Sequence, residues 1–285
     1  MFSEIVMPIL VMIMMFGMGI ALTRDDFRRL FNMPKSIFVG LFCQILALPI
    51  LGFIICKAFG LPNEFCIGLM IIAACPGGTV SNIVSQLSKA NLPLSISLTA
   101  FSTFVCIITA PLVISFASGY FATGNEQPLS VVKVSLSILL ISVVPVALGI
   151  AFHEKYPEKA KRLVPKFEKL SQVLLALAIV GVVKENYGLE IANFSQLVMA
   201  NITLNVVAIA VGVGLAIFMG LSRKDAFTVG IEAGIQNSGL AIIISLTVLE
   251  NPVYAATAIV YGVVMTGIAL TVLLCRKIQV RYSFA

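Results

Sequence analysis

Nine hydrophobic runs, each about the length of one membrane crossing, constrain this chain more than any other feature. They fall near residues 5–23, 36–58, 65–88, 93–119, 129–152, 169–185, 195–221, 226–249 and 253–275. About 20 helical residues cross roughly 30 Å of hydrocarbon, so each run is a candidate span, the sixth being the shortest. Of the 285 residues, 59% are hydrophobic and 11% charged, and mean hydropathy is +1.06. A water-soluble domain carries about 25% charged residues. This chain lacks the polar groups to cover its own surface and reads as an all-α integral membrane protein.

Charge placement supports the count of spans. With nine of them, all but three of the 19 Lys and Arg residues lie on one side; Lys57, Lys133 and Lys184 lie on the other. Cytoplasmic loops carry the basic excess. The N-terminus is therefore expected outside and the C-terminus in the cytoplasm, with a bacterial inner membrane as the natural home. The net charge of +6 is a topology signal, not a nucleic-acid one. Six scattered cysteines form no C-x-x-C pair, so neither a zinc site nor a disulfide framework is indicated. The first run follows Glu4 rather than a basic stretch and reads as a retained helix, not a cleaved signal. An embedded enzyme would need a deep nucleophile with a base, or a metal cluster. The single histidine, His153, lies beside a basic loop, so no catalytic residue is assigned. Asp25 and Asp26, set among arginines, read as solvated charges at a membrane boundary. Gly17 and Gly19 read as places where helices approach closely.

One carboxylate departs from this pattern. Glu232 lies inside an apolar stretch, in Thr228-Val-Gly-Ile-Glu-Ala-Gly-Ile-Gln-Asn-Ser-Gly-Leu240. An Asp near the centre of a membrane helix costs roughly 2.5–3.5 kcal/mol on insertion scales, and Glu is comparable. Packing gains nothing from that cost, so a carboxylate kept there usually binds something. Gly234 and Gly239 loosen the helix, while Gln236, Asn237 and Ser238 supply neutral oxygens. Soft backbone, several oxygens and one negative charge suit a monovalent cation such as sodium.

A second span is interrupted as well. Cys75-Pro-Gly-Gly-Thr-Val-Ser-Asn82 lies within 65–88; Pro76 removes a backbone donor and Gly77-Gly78 lowers helix propensity. The third and eighth spans run in opposite directions, and each pairs a small-residue break with an Asn. Inverted repeats place such broken helices across a midplane site. Residues 129–275 would form a five-helix repeat, and 1–119 a four-helix repeat lacking its first helix, within one transport unit, 1–285.

At these breaks the chain resembles the bile acid:sodium symporter family. The likeness rests on Met15-Phe-Gly-Met-Gly19 with Asp25 and Asp26, on Cys75–Asn82, and on Ile231-Glu-Ala-Gly-Ile-Gln-Asn-Ser-Gly-Leu-Ala241, whose order and separation fit nearly the whole chain. The resemblance implies a panel domain and a core domain with two crossing broken helices, and sodium-coupled uptake of an organic anion. It implies a nine-helix form of a fold that commonly has ten. The anion would be bile-acid-like or a small carboxylate such as pantoate.

Carried over by motif, the resemblance implies a first sodium site of Ser81, Asn82, Ser95, Thr99 and Glu232. A second would use Gln44, Glu232, Ala233, Ile235 and Gln236, the two alanine and isoleucine contributions being backbone carbonyls. Ser95 and Thr99, four apart, share a helix face. Gly78, Thr79 and Asn237 would meet the anion at helix N-terminal ends, which present free N–H groups; no cationic side chain lies deep in the spans. Besides sodium, the anion and the lipid bilayer, no partner is implied, and no cofactor. Three roles remain open for Glu232 at this point: sodium ligand, proton carrier, or a structural carboxylate bonded to exposed backbone. A proton-coupled or uncoupled carrier of the same fold is the alternative function.

Overall fold

The computed structural model describes residues 7–121, 131–167, 169–170, 173 and 194–282. They fold as helices: α1 (Met7–Ala21), α2 (Arg24–Asn32), α3 (Pro34–Phe59), α4 (Asn63–Ala74), α5 (Thr79–Leu87), α6 (Leu92–Phe121), α7 (Val131–Lys155), α8 (157–167), α9 (Phe194–Phe218), α10 (Arg223–Gly234), α11 (Ser238–Val248) and α12 (Pro252–Tyr282). Among the described residues α3, α6, α7, α9 and α12 are long and apolar enough to cross a membrane. The expected third and eighth spans do not reach that length as single helices because each is cut in two. The expected sixth span, 169–185, lies outside the described residues apart from Lys169, Leu170 and Val173.

Large apolar side chains cover the outside of these helices: Phe38, Ile50, Ile108, Leu136, Ile217 and Leu270 are all at least half exposed. A surface of this kind is stable against lipid, not water. The chain is a multi-pass membrane protein.

Proline shapes two of the long helices. Pro49 has no N–H for the carbonyl one turn earlier, and the preceding turn of α3 widens into a π-turn over Cys43–Ala47. Pro145 follows the π-turn Leu139–Val143 of α7 in the same way. The first of these turns carries Gln44 into the interior, where it is buried.

α1 packs along α7. Neither Gly19 nor Gly149 could carry a side chain there: a methyl on Gly19 would strike the Val146 carbonyl, and one on Gly149 the Phe16 carbonyl. Small residues let membrane helices touch backbone to backbone. Phe16 also meets the Phe167 ring of α8, with centroids 5.8 Å apart. On the other flank α4 packs against α6 and α12, and α9 against α10 and α12.

The boundary helix α2 corrects one expectation. Asp25 is exposed, but Asp26 is buried. Its Oδ2 accepts hydrogen bonds from the Thr23 backbone N–H and hydroxyl, both 2.7 Å, while its own N–H donates to the Thr23 carbonyl. This is a reciprocal cap, readable as Thr-x-x-Asp. Phe27 of the same helix packs edge-on against Phe101 and Phe104 of α6.

Candidate functional site

The two interruptions meet at the centre of the molecule. α4 ends at Ala74, and Cys75–Gly78 run without helix before α5 begins at Thr79. α10 ends at Gly234, and Ile235 is extended (φ −105°, ψ 103°) before Asn237 caps α11. Gly77 and Gln236 pair as an antiparallel bridge. The Asn237 N–H donates to the Pro76 carbonyl at 2.8 Å. Each break therefore answers backbone groups that the other exposes, as buried helix ends require.

Glu232 sits one turn before the second break, fully buried. Ser81 Oγ donates to its Oε1 at 2.6 Å and Ser95 Oγ donates to the same oxygen. Thr99 Oγ1 reaches Oε1 at 3.3 Å and Oε2 at 3.1 Å. Ser95 Oγ also lies 2.8 Å from Asn82 Oδ1. All five residues expected at the first site thus gather from α5, α6 and α10, with α6 presenting Ser95 and Thr99 from one face.

Two glutamines meet the main chain at Glu232. Gln44 Nε2 donates to the Glu232 carbonyl at 3.0 Å and reaches its Oε2 at 3.4 Å. Gln236 Nε2 donates to the Glu232 and Ala233 carbonyls at 3.0 and 2.9 Å. Gln44 Oε1 and Gln236 Oε1 are buried and find no partner among the described residues. Turning either carboxamide over would set its oxygen against these acceptors. In the orientation described the oxygen is open to a donor or a cation. Gln44, Glu232, Ala233 and Gln236 are thus brought together; Ile235 lies in the extended break beside them.

The donor set has a definite chemistry. Among the described residues no three His, Cys, Asp or Glu side chains gather. One carboxylate surrounded by hydroxyl, carboxamide and backbone oxygens offers hard ligands with a single formal charge, which fits an alkali cation better than a divalent or thiophilic metal.

Gly78, Thr79 and Asn237 line one cavity of about 50 Å³ against Met14, Met15 and Met18 of α1. Gly78 gives α5 no side-chain cap; the Ser81 N–H donates to the Gly78 carbonyl at 3.1 Å, while Thr79 and Val80 head the helix without a side-chain acceptor. Asn237 uses its Oδ1 to cap α11 through the Leu240 N–H (3.0 Å), leaving Nδ2 beside Met15 Sδ at 3.8 Å. A second cavity of about 180 Å³ shares Met18 and Thr79 and extends between α1, α5 and α8, past Asn82 and Phe167.

Residues the sequence did not single out complete the surroundings. Asn205 of α9 and Tyr261 of α12 both donate to the Gly234 carbonyl. Asn91 Nδ2 donates to Asp225 Oδ1 at 2.7 Å, with Ser36 Oγ 3.3 Å from Oδ2, which ties the starts of α3, α6 and α10. Asn205 could have been suspected as an amide inside an apolar run; an isolated Tyr261 carries no such signal.

Two discontinuous helices crossing within a helical membrane protein, around a buried carboxylate ringed by oxygens, define a carrier-like architecture. Residues 8–194 match the Sodium Bile acid symporter family. The chain belongs to that family, which is one of transporters rather than enzymes. Similar proteins include the probable sodium/metabolite cotransporter BASS2, chloroplastic, of Oryza sativa subsp. japonica, 31% identical over 264 residues, 91% of this chain and 61% of that one. The uncharacterized sodium-dependent transporter YocS of Bacillus subtilis is 29% identical over 256 residues, 88% of this chain and 76% of that one. The human ileal sodium/bile acid cotransporter is 28% identical over 268 residues, 93% and 76% of the two chains. This chain spans 61% of the length of its chloroplast relatives.

Proposed function

We propose that this protein is a sodium-coupled symporter of an organic anion that works by alternating access. The observation that carries the reading is the shared position of Glu232. Three hydroxyls converge on its carboxylate, and two carboxamides with unpartnered oxygens bond its main-chain carbonyl. The first sodium ion is held by Ser81, Asn82, Ser95, Thr99 and Glu232. The second is held by Gln44, Glu232, Gln236 and the carbonyls of Ala233 and Ile235, the carboxamides presenting oxygen. With the carboxylate neutralised, the cavity bordered by Gly78, Thr79 and Asn237 accepts an anion on backbone N–H groups and the Asn237 amide. Each ligand then raises the affinity for the other. The anion is bile-acid-like or a small carboxylate such as pantoate; relatives that are cotransporters of metabolites and of bile acids favour this class.

The architecture in this reading has nine spans in two inverted repeats, 1–119 and 129–275. α1 and α7 belong to a panel, and the crossing belongs to a core. The N-terminus lies outside a cell membrane and the C-terminus in the cytoplasm. Two sodium ions and one monovalent anion carry one net positive charge inward. A potential of about 100 mV contributes roughly 2.3 kcal/mol to that movement.

The test is uptake into proteoliposomes of pantoate, taurocholate, pyruvate and a sulfonate, with sodium or choline outside. Sodium-dependent uptake of one of them, lost in Glu232→Gln, is expected. Uptake driven by a proton gradient and indifferent to sodium would replace this reading with a proton-coupled carrier.

A further inference from the structure

The Gly234 carbonyl is a buried helix end. It is the last carbonyl of α10, and the break that follows removes its intrahelical partner. Two side chains from two other helices supply the missing donors: Asn205 Nδ2 at 2.6 Å and Tyr261 Oη at 2.6 Å. The two donors lie 3.4 Å from each other, and both residues are fully buried. Asn205 can only point this way round, because its oxygen would repel the carbonyl.

Gly234 stands between Ala233 and Ile235. Its carbonyl belongs to the peptide that joins it to Ile235, so anchoring that oxygen sets the plane from which Ile235 departs. Ile235 is extended, and extended backbone turns successive carbonyls to opposite sides. With the Gly234 oxygen held toward α9 and α12, the Ile235 carbonyl is aimed away from them. The other break lacks this device. There the last helical carbonyl, Ala74, receives only the Cys106 thiol at 3.8 Å, a weak donor.

We infer that Asn205 and Tyr261 are positioning residues for the second sodium ion, clamping the Gly234 peptide so that the neighbouring carbonyls hold their ligand geometry. The inference rests on the sodium reading of the site. The two residues touch neither ion nor anion. Their effect is on the affinity for sodium, through backbone direction.

The experiment is a sodium titration of the purified full-length chain, without substrate. Thermal stability is followed as sodium chloride replaces choline chloride at constant ionic strength. Tyr261→Phe keeps the ring and removes one donor. It is expected to raise the half-saturating sodium concentration about fivefold, the factor given by one net hydrogen bond. Asn205→Ser, which keeps Tyr261, is expected to shift it similarly, and it carries the test should the phenylalanine variant fail to fold. Cys106→Ala, at the other break, leaves the half-saturation where it is. A folded Tyr261→Phe or Asn205→Ser variant that is less stable in choline yet titrates like the parent has lost only structure, and the inference falls. If the parent chain itself is not stabilised by sodium, the sodium reading fails instead.

Discussion

Gly77 and Glu232 face each other across the crossing with no space for a side chain between them. A methyl group on residue 77 would lie 2.5 Å from Glu232 Oε2 and 2.9 Å from Gln44 Nε2. The glycine is needed for this contact as well as for the break. Gly77→Ala should displace the carboxylate and abolish sodium-dependent uptake. Gly119→Ala, where nothing lies within 4 Å, should leave uptake intact and add up to about 1 kcal/mol to helix stability. Uptake and melting temperature measured on both variants check this.

The two halves of the oxygen cluster should separate by mutation. Ser81→Ala removes a 2.6 Å bond to the Glu232 carboxylate, and Gln236→Ala removes a carboxamide bonded to the Glu232 main-chain carbonyl. If each side holds its own ion, either change should bring the Hill coefficient for sodium from about 2 toward about 1. A coefficient unchanged in both variants would refute two coupled ions.

Pro49→Ala is expected to weaken sodium binding without weakening the fold. Restoring a backbone N–H favours a regular α-turn over Cys43–Ala47, which rotates Gln44 off the site. Half-saturating sodium should rise roughly tenfold, a loss of about 1.4 kcal/mol, while the melting temperature holds or increases. Sodium titration of stability reads both quantities together.

Asn91→Ala should do the opposite. It strips Asp225 of its 2.7 Å partner and leaves a half-buried carboxylate short of donors. The expected cost is about 1–3 kcal/mol of stability. The half-saturating sodium concentration should stay the same, since the pair lies at the helix starts and not beside Glu232. Melting curves with and without sodium distinguish the outcomes.

Much of the site was legible because polarity inside an apolar run is costly and therefore informative. Glu232 and the two breaks stand out on that ground alone, and Pro76-Gly77-Gly78 states its effect on the helix directly. Ser81 and Asn82 followed from the break they adjoin, but Ser95 and Thr99 were reachable only through resemblance, since hydroxyls in membrane helices commonly bond their own backbone, as Thr103 and Ser245 do here. Asn205 and Tyr261 escaped because their role depends on which carbonyl three helices bring together, and no local pattern encodes that meeting. Asp26 escaped for a different reason. Its charge and its basic neighbours suggested solvent, although Thr23 three residues earlier already spelled a cap.

Pro76 and Asn237 are joined main chain to main chain, so the two half-helix tips form a yoke. Withdrawing one tip alone would break this bond and leave buried main-chain groups unpaired, which favours the two tips moving together. For a solute to pass such a yoke, the wall around it must travel. The seam best suited to yield is the one lined by Met14, Met15 and Met18, whose unbranched thioethers re-pack readily as their neighbours slide.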